Sequence, residues 1–180
     1  MTTSQRGKTI CFIDDSNIFH GQLEAGWRID WTRFDKWLEQ TGPIWQTHYF
    51  GSVHREPTEQ ESNFFEFIKE TLRWELTTYE LGRRTVRCSE CGREETVPTE
   101  KGVDVGLAIK MLTLGINRAY ETAILVAGDR DYLETVQFLK GLGLRVEIIA
   151  WRKGLSGELE AEASEPVVFL DDLRSKLEKS

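Results

Sequence analysis

TAILVAGDRDY, residues 122–132, decides the fold. An uncharged run rich in aliphatic side chains continues to Gly128 and stops abruptly against Asp129, Arg130 and Asp131. A half-exposed strand would alternate polar and apolar residues, so this stretch reads as a strand buried on both faces, as in a parallel sheet. Tyr132, Leu133, Val136, Phe138 and Leu139 follow at helical spacing, and Gly141 with Gly143 closes that helix. Strand, turn and helix in this order make half of a βαβ unit.

The same grammar repeats outward. KTICFI (8–13) is an apolar strand stopped by DDSN (14–17), and IWQTHYFGSV (44–53), TTYEL (77–81) and LRVEIIAW (144–151) read as further strands. Between them, WTRFDKWLEQ (31–40) places Trp31, Phe34, Trp37 and Leu38 on one helical face before Gly42 and Pro43 end it. Phe64, Phe65, Ile68 and Leu72 mark one helix across 58–74. Val105, Leu107, Met111 and Leu112 mark another that begins at Asp104. A short acidic helix near Glu158, the strand PVVFL (166–170) and a final helix complete the chain. The alternation predicts an α/β fold with a mostly parallel central sheet and helices on both faces. Residues 1–8 read as a polar tail, 9–173 as the domain, 82–100 as an inserted Cys-x-x-Cys loop or small β excursion, and 174–180 as the end of the last helix.

With 180 residues, 39% hydrophobic and 29% charged, the chain has the composition of a single soluble domain. No apolar leader or stretch long enough to span a bilayer is visible, and three cysteines are too few and odd in number for a disulfide framework, so the expectation is a cytoplasmic protein with no membrane partner. The net charge of −7 argues against a general nucleic-acid coat. It is uneven, however: the C-terminal segment is acidic, whereas RRTVRCSECGR (83–93) holds Arg83, Arg84, Arg87 and Arg93 against Glu90. A local basic patch can hold a phosphate backbone on an acidic molecule.

Asp14, Asp104, Asp129 and Asp131 stand where apolar runs stop or helices begin, which is the rim where such sheets bind ligands. Each alone also reads as a helix cap or turn residue. Together, carboxylates gathered on one rim repel one another and call for a divalent cation, Mg²⁺ or Mn²⁺, and hence for phosphate chemistry. Asn17 can bind phosphate oxygen or orient a carboxylate without adding charge, and Lys101 can meet phosphate as a point charge. Arg83, Arg84, Arg87 and Arg130 are further candidates for backbone contact, with Phe19 or Trp27 for base stacking. His20 reads as a helix surface residue.

FIDDSN, EKGVDVGLA and ILVAGDRDY together resemble the NYN domain, the LabA-like branch of the PIN-like nucleases, in the family's order and from about Thr9 to about Leu173. The resemblance implies a Rossmann-like, PIN-like sheet with an acidic pocket and metal-dependent cleavage of RNA, single-stranded or structured. By position it implies Asp14, Asn17, Asp104, Asp129 and Asp131 as site residues, the four acids as metal ligands. Asp15, Ala127 and Arg130 depart from its pattern; Arg130 either neutralises the flanking acids or contacts phosphate. Two other readings use the same residues: a non-catalytic RNA-binding protein, and a phosphatase, against which DDSN lacks an Asp-x-Asp nucleophile.

Cys88 and Cys91 in CSECGR have the form of a zinc knuckle. Closure of a structural Zn²⁺ site needs four ligands, from His48 or His54 or from a second copy in a homodimer. Free thiols and redox use remain the alternatives.

Overall fold

The computed structural model describes residues 6–87 and 90–180. Strands β1 (Thr9–Asp14), β2 (Gln46–Val53) and β3 (Glu75–Glu80) lie on one side of the sheet, and β6 (Thr122–Val126), β7 (Arg145–Ala150) and β8 (Val168–Phe169) on the other. Their order is β3-β2-β1-β6-β7-β8 and every pairing is parallel. β1 and β6 are buried along their whole lengths, which is why both read as unbroken apolar runs.

Alternation along β1 divides the core. Ile10 and Phe12 face one layer, where α4 (Val103–Ile116), α5 (Leu133–Gly141) and α6 (Gly157–Glu162) pack; Cys11 and Ile13 face the other. That second layer holds α1 (Asp15–Ala25), α2 (Trp31–Gln40), α3 (Glu59–Glu66) and α7 (Arg174–Leu177). Most tryptophans sit here: Trp31 meets Tyr49 and Trp74 edge-on, and Trp27 meets Trp151 edge-on at 5.1 Å. Trp27 is therefore core, and the expectation that it stacks on a base is corrected. Among the described residues, no helix is long and apolar enough to cross a membrane.

One element differs from the expected boundaries. The helix predicted across 58–74 is α3, opened by a Thr58–Glu61 capping box, followed by a π-helical turn over Phe67–Thr71. There Leu72 N–H bonds back to Phe67 C=O; the turn carries the buried Ile68, and Arg73 ends it at φ +59°. Strands β4 (Gly82–Arg87) and β5 (Glu94–Thr99) pair antiparallel, separate from the main sheet, and are the small β excursion expected of the insertion.

The segment expected to be a free tail is docked from Arg6 onward. Arg6 Nε donates to Glu147 Oε1 at 2.9 Å and its Nη1 to Thr41, joining β7 to the end of α2. Glu147 is a mostly buried charge inside the sheet, so its partner matters more than an exposed ion pair would. Arg6→Ala leaves that carboxylate unpaired; chemical denaturation is expected to show a loss of about 2–3 kcal/mol, much of it recovered when Glu147→Gln is added.

Candidate functional site

β1 ends on Asp14 between β2 and β6, where the strand order reverses and an open α/β sheet leaves a crevice. Asp14 is buried and caps α1: its Oδ1 accepts from Ser16 N–H at 3.1 Å, Ser16 hydroxyl at 3.0 Å and Asn17 N–H at 3.2 Å. The cap reading is thus correct but does not exhaust the group. Its Oδ2 carries one protein hydrogen bond, from the Tyr132 hydroxyl at 2.8 Å. Burial raises the Asp14 pKa despite these donors, and the charge of Glu100 raises it further.

Asn17 ties the two strand ends together, its Oδ1 accepting Gly128 N–H at 3.0 Å. Because a backbone N–H can only donate, this bond fixes the amide's orientation and leaves its NH₂ for another partner. Gly128 leaves little room for a side chain: a Cβ would stand 3.0 Å from Leu155 Cα. Just beyond it, exposed Asp129 accepts Asp131 N–H at 3.2 Å and opens the turn that carries Tyr132 inward. Asp131 is exposed, and Arg130 pairs with Glu158 of α6. That pairing holds the Arg130 guanidinium above its usual pKa, with the charge of Asp131 adding to the rise.

Asp104 lies inside the first turn of α4 rather than at its cap, which is Gly102 at φ +88°. Its charge, like those of Asp14 and Asp129, acts on Tyr132. Burial pushes that phenol far above the tyrosine range, and the charges of Asp14, Asp104 and Asp129 push it further. Of the three, Asp14 alone hydrogen-bonds that hydroxyl, and Asp104 is not in the lining of the cleft that Asp14 and Asp129 share. On the α1 side, a cleft of about 230 Å³ is lined by Asp14, Asn17, His20, Asp129, Trp151 and Lys153 among others. Trp151 forms part of its wall, resting on Gly21, where a Cβ would come within 1.9 Å of the indole, and donating from Nε1 to Ile18 C=O at 3.2 Å.

Tyr132, Glu100, His20 and Lys153 were not expected at the site. His20 was legible in principle, one turn beyond Asn17 on the same face of α1. Lys153 follows the end of β7 on the same rim and pairs with Glu24 at 3.1 Å. Tyr132 carries no separate signal, because its spacing is that of any core residue. Lys101 is exposed just ahead of α4, and Arg83, Arg84 and Arg87 are exposed on β4. In register, β5 sets Glu94 opposite Arg87 and Glu95 opposite Val86, which dilutes the basic run.

Among the described residues, no three His, Cys, Asp or Glu side chains make a ready cage for an ion. Mg²⁺ asks for less: one or two carboxylates, with water and phosphate oxygens completing its shell. Asp14 Oδ2 and the carboxylate of Asp129, on the same cleft, fit that hard-oxygen requirement. For zinc, Cys88 lies outside the described residues and Cys91 is exposed. His48 is buried and stacked on Phe12, and burial pushes its pKa down to about 4. His54 instead contacts Glu61 at 2.6 Å.

Asp15 turns the other way, toward Tyr49 and Gly51 of β2. Burial pushes its pKa from 3.8 up to about 6, with the charges of Asp14 and Glu100 adding to the rise and the Tyr49 hydroxyl opposing it. The folded state therefore holds a proton that the unfolded chain has released, and the stability this provides is lost as pH rises through the window from 3.8 to about 6. Asp15→Asn, measured by denaturation at pH 4 and pH 8 in chelator, is expected to change stability little at the lower pH and to raise it by about 2–3 kcal/mol at the higher. Equal effects at both would contradict this assignment.

A model of the NYN domain matches residues 8–171, nearly the whole chain. The crystal structure of VPA0982, described as a protein of unknown function from Vibrio parahaemolyticus RIMD 2210633, superposes with a TM-score of 0.71 at 18% identity, covering 98% of this chain and 99% of that one. At that identity the likeness speaks to the fold alone. No curated protein matches the chain. On the extent of the family match, the chain belongs to the NYN domain family, a PIN-like nuclease family.

Proposed function

We propose that the protein is a Mg²⁺- or Mn²⁺-dependent ribonuclease that hydrolyses RNA phosphodiester bonds at the cleft between β1 and β6. The observation that carries this reading is the buried Asp14 carboxylate at the order reversal, hydrogen-bonded to Tyr132 and sharing its cleft with Asp129. A cation bound there supplies charge neutralisation of the phosphate and acidity to its water. Asp14 and Asp129 would hold it, and Asp104 and Asp131 are the further acids that would hold it, directly or through water. Tyr132 and the backbone at Ser16 and Asn17 keep Asp14 in one orientation, so little reorganisation is needed during reaction. The Asn17 NH₂ and Lys153 meet non-bridging phosphate oxygens. In the net reaction water adds to phosphorus, the bond to one ribose oxygen breaks, and a proton passes to that leaving oxygen. RNA rather than DNA follows from the family.

The substrate backbone approaches from the rim, where Lys101 and the hairpin arginines Arg83, Arg84 and Arg87 stand exposed. Phe19, exposed on α1, is the remaining candidate for stacking on a base. A second reading, an RNA-binding protein without catalysis, is favoured by the absence of a preformed three-carboxylate cage among the described residues.

Labelled single-stranded and structured RNAs, incubated with Mg²⁺, Mn²⁺ or chelator, separate the two. Cleavage is expected only with metal and is expected to fall about 100-fold or more in Asp14→Asn and in Asp129→Asn. RNA binding without cleavage under every metal condition supports the second reading, and cleavage that survives both substitutions contradicts the first. The hairpin is tested through salt dependence. Arg83→Ala, Arg84→Ala and Arg87→Ala are each expected to weaken binding across sequences and to reduce the slope of log affinity against log salt by about 0.7 for every lost contact to single-stranded RNA.

A further inference from the structure

Helix α4 is apolar on two sides and covered on one. Val103, Leu107, Met111 and Gly115 are buried against the sheet and α5. With roughly 100° between successive residues, Val105, Ile109, Leu112 and Ile116 form a second stripe on the opposite side. Val105, Ile109 and Ile116 are 56%, 57% and 58% exposed, and Leu112 is half-buried. A helix that is hydrophobic all round belongs in an interior. Scattered exposed aliphatics need no explanation, but a 4-3-4 spacing is the seam by which one helix packs on another.

Helix α5 widens this patch. On one flank Gln137 and Lys140 reach Glu162 of α6. The opposite flank adjoins α4, where the Leu139 side chain rests on Gly115, and it carries Phe138 and Leu142, each about half exposed. No charged side chain interrupts the stripe of α4.

We propose that this face is a homodimer interface, with α4 packed antiparallel against α4 of a second copy about a two-fold axis near residues 110 and 111. An isologous contact must be complementary to itself after rotation. The spacing 4-3-4 meets that requirement because it reads the same in both directions. Val105 then faces the partner's Ile116, and Ile109 faces the partner's Leu112. The flanking Ala108 and Thr113 are small, which lets the helices approach closely. Antiparallel alignment also sets the N-terminal end of each helix dipole beside the C-terminal end of the other.

Area supports the same occupant. Half-exposed side chains of these sizes leave on the order of 500 Å² of apolar surface on the six residues of the patch. One partner in a standard interface contributes about 800 Å², of which about 60% is apolar, so the patch matches the apolar share of a stable dimer. The cleft with Asp14 and Asp129 lies on the α1 side of the sheet, so pairing through α4 leaves both clefts open.

Sedimentation velocity of the full chain at high micromolar concentration tests this. A species near twice the 20.8 kDa chain mass is expected. Ile109→Asp is expected to weaken self-association by about 30-fold, and Ile109→Asp with Ile116→Asp to abolish it, with circular dichroism and thermal melts unchanged because both positions are exposed. In a Cys88→Ser, Cys91→Ser background, Ile109→Cys with Leu112→Cys is expected to form an interchain disulfide on oxidation. A wild-type monomer overturns the proposal. So does a dimer that persists in the double aspartate variant, including one lost instead on chelation or on Cys91→Ser.

Discussion

Burying the Asp14 carboxylate at the end of the central strand constrains everything around it. A charge that leaves water must find donors, and the chain supplies them from three places: the first turn of α1, the Ser16 hydroxyl and Tyr132 beyond β6. Supplying them obliges α1 to start immediately after β1, with no connecting loop, and obliges the segment after β6 to bend so that Tyr132 turns inward. Asn17 completes the closure by accepting the Gly128 N–H, and the two central strand ends become one unit. The raised pKa of Asp14 shows that these bonds do not fully offset its desolvation. That residual electrostatic demand suits the carboxylate to a cation.

The two layers of helices divide the work. Helices on the α1 side are sealed by aromatic edges among Trp27, Trp31, Tyr49, Trp74 and Trp151, and this dense packing gives the proposed cleft a rigid wall. The other layer is richer in aliphatic side chains and leaves α4 apolar toward solvent, the surface assigned here to self-association. The hairpin belongs to neither layer. Its residues are mostly exposed, and Arg87 faces Glu94 of the returning strand while Arg83 and Arg84 face Pro98 and Val97, so its affinity for phosphate rests on individual side chains rather than on a broad positive field.

Much of this was legible in the sequence because the signals were local. TICFID and TAILV are buried on both faces, and continuous apolar character reports that directly. Gly42, Gly141 and Gly143 mark helix ends by backbone preference alone. Where the reading slipped, two nonlocal terms competed with a local one. The helix predicted through residue 74 turns π-helical near Ile68 in a segment whose periodicity promised a continuous helix. Trp27 reads as available from its neighbours in sequence, and Trp151 covers it in the fold.

The sequence by itself determined the α/β alternation, the parallel sheet, the acids at the strand ends and the family, because periodicity, breakers and short motifs are properties of neighbouring residues. Only the tertiary structure decided that Asp14 would be buried and shared with Tyr132, that Asp15 would turn to Tyr49, and that His20, Glu100 and Lys153 would join the rim. It also decided which side of α4 would remain uncovered. Those outcomes depend on which elements become neighbours after β1 and β6 pair across more than a hundred residues, and burial and electrostatics act only once that pairing exists.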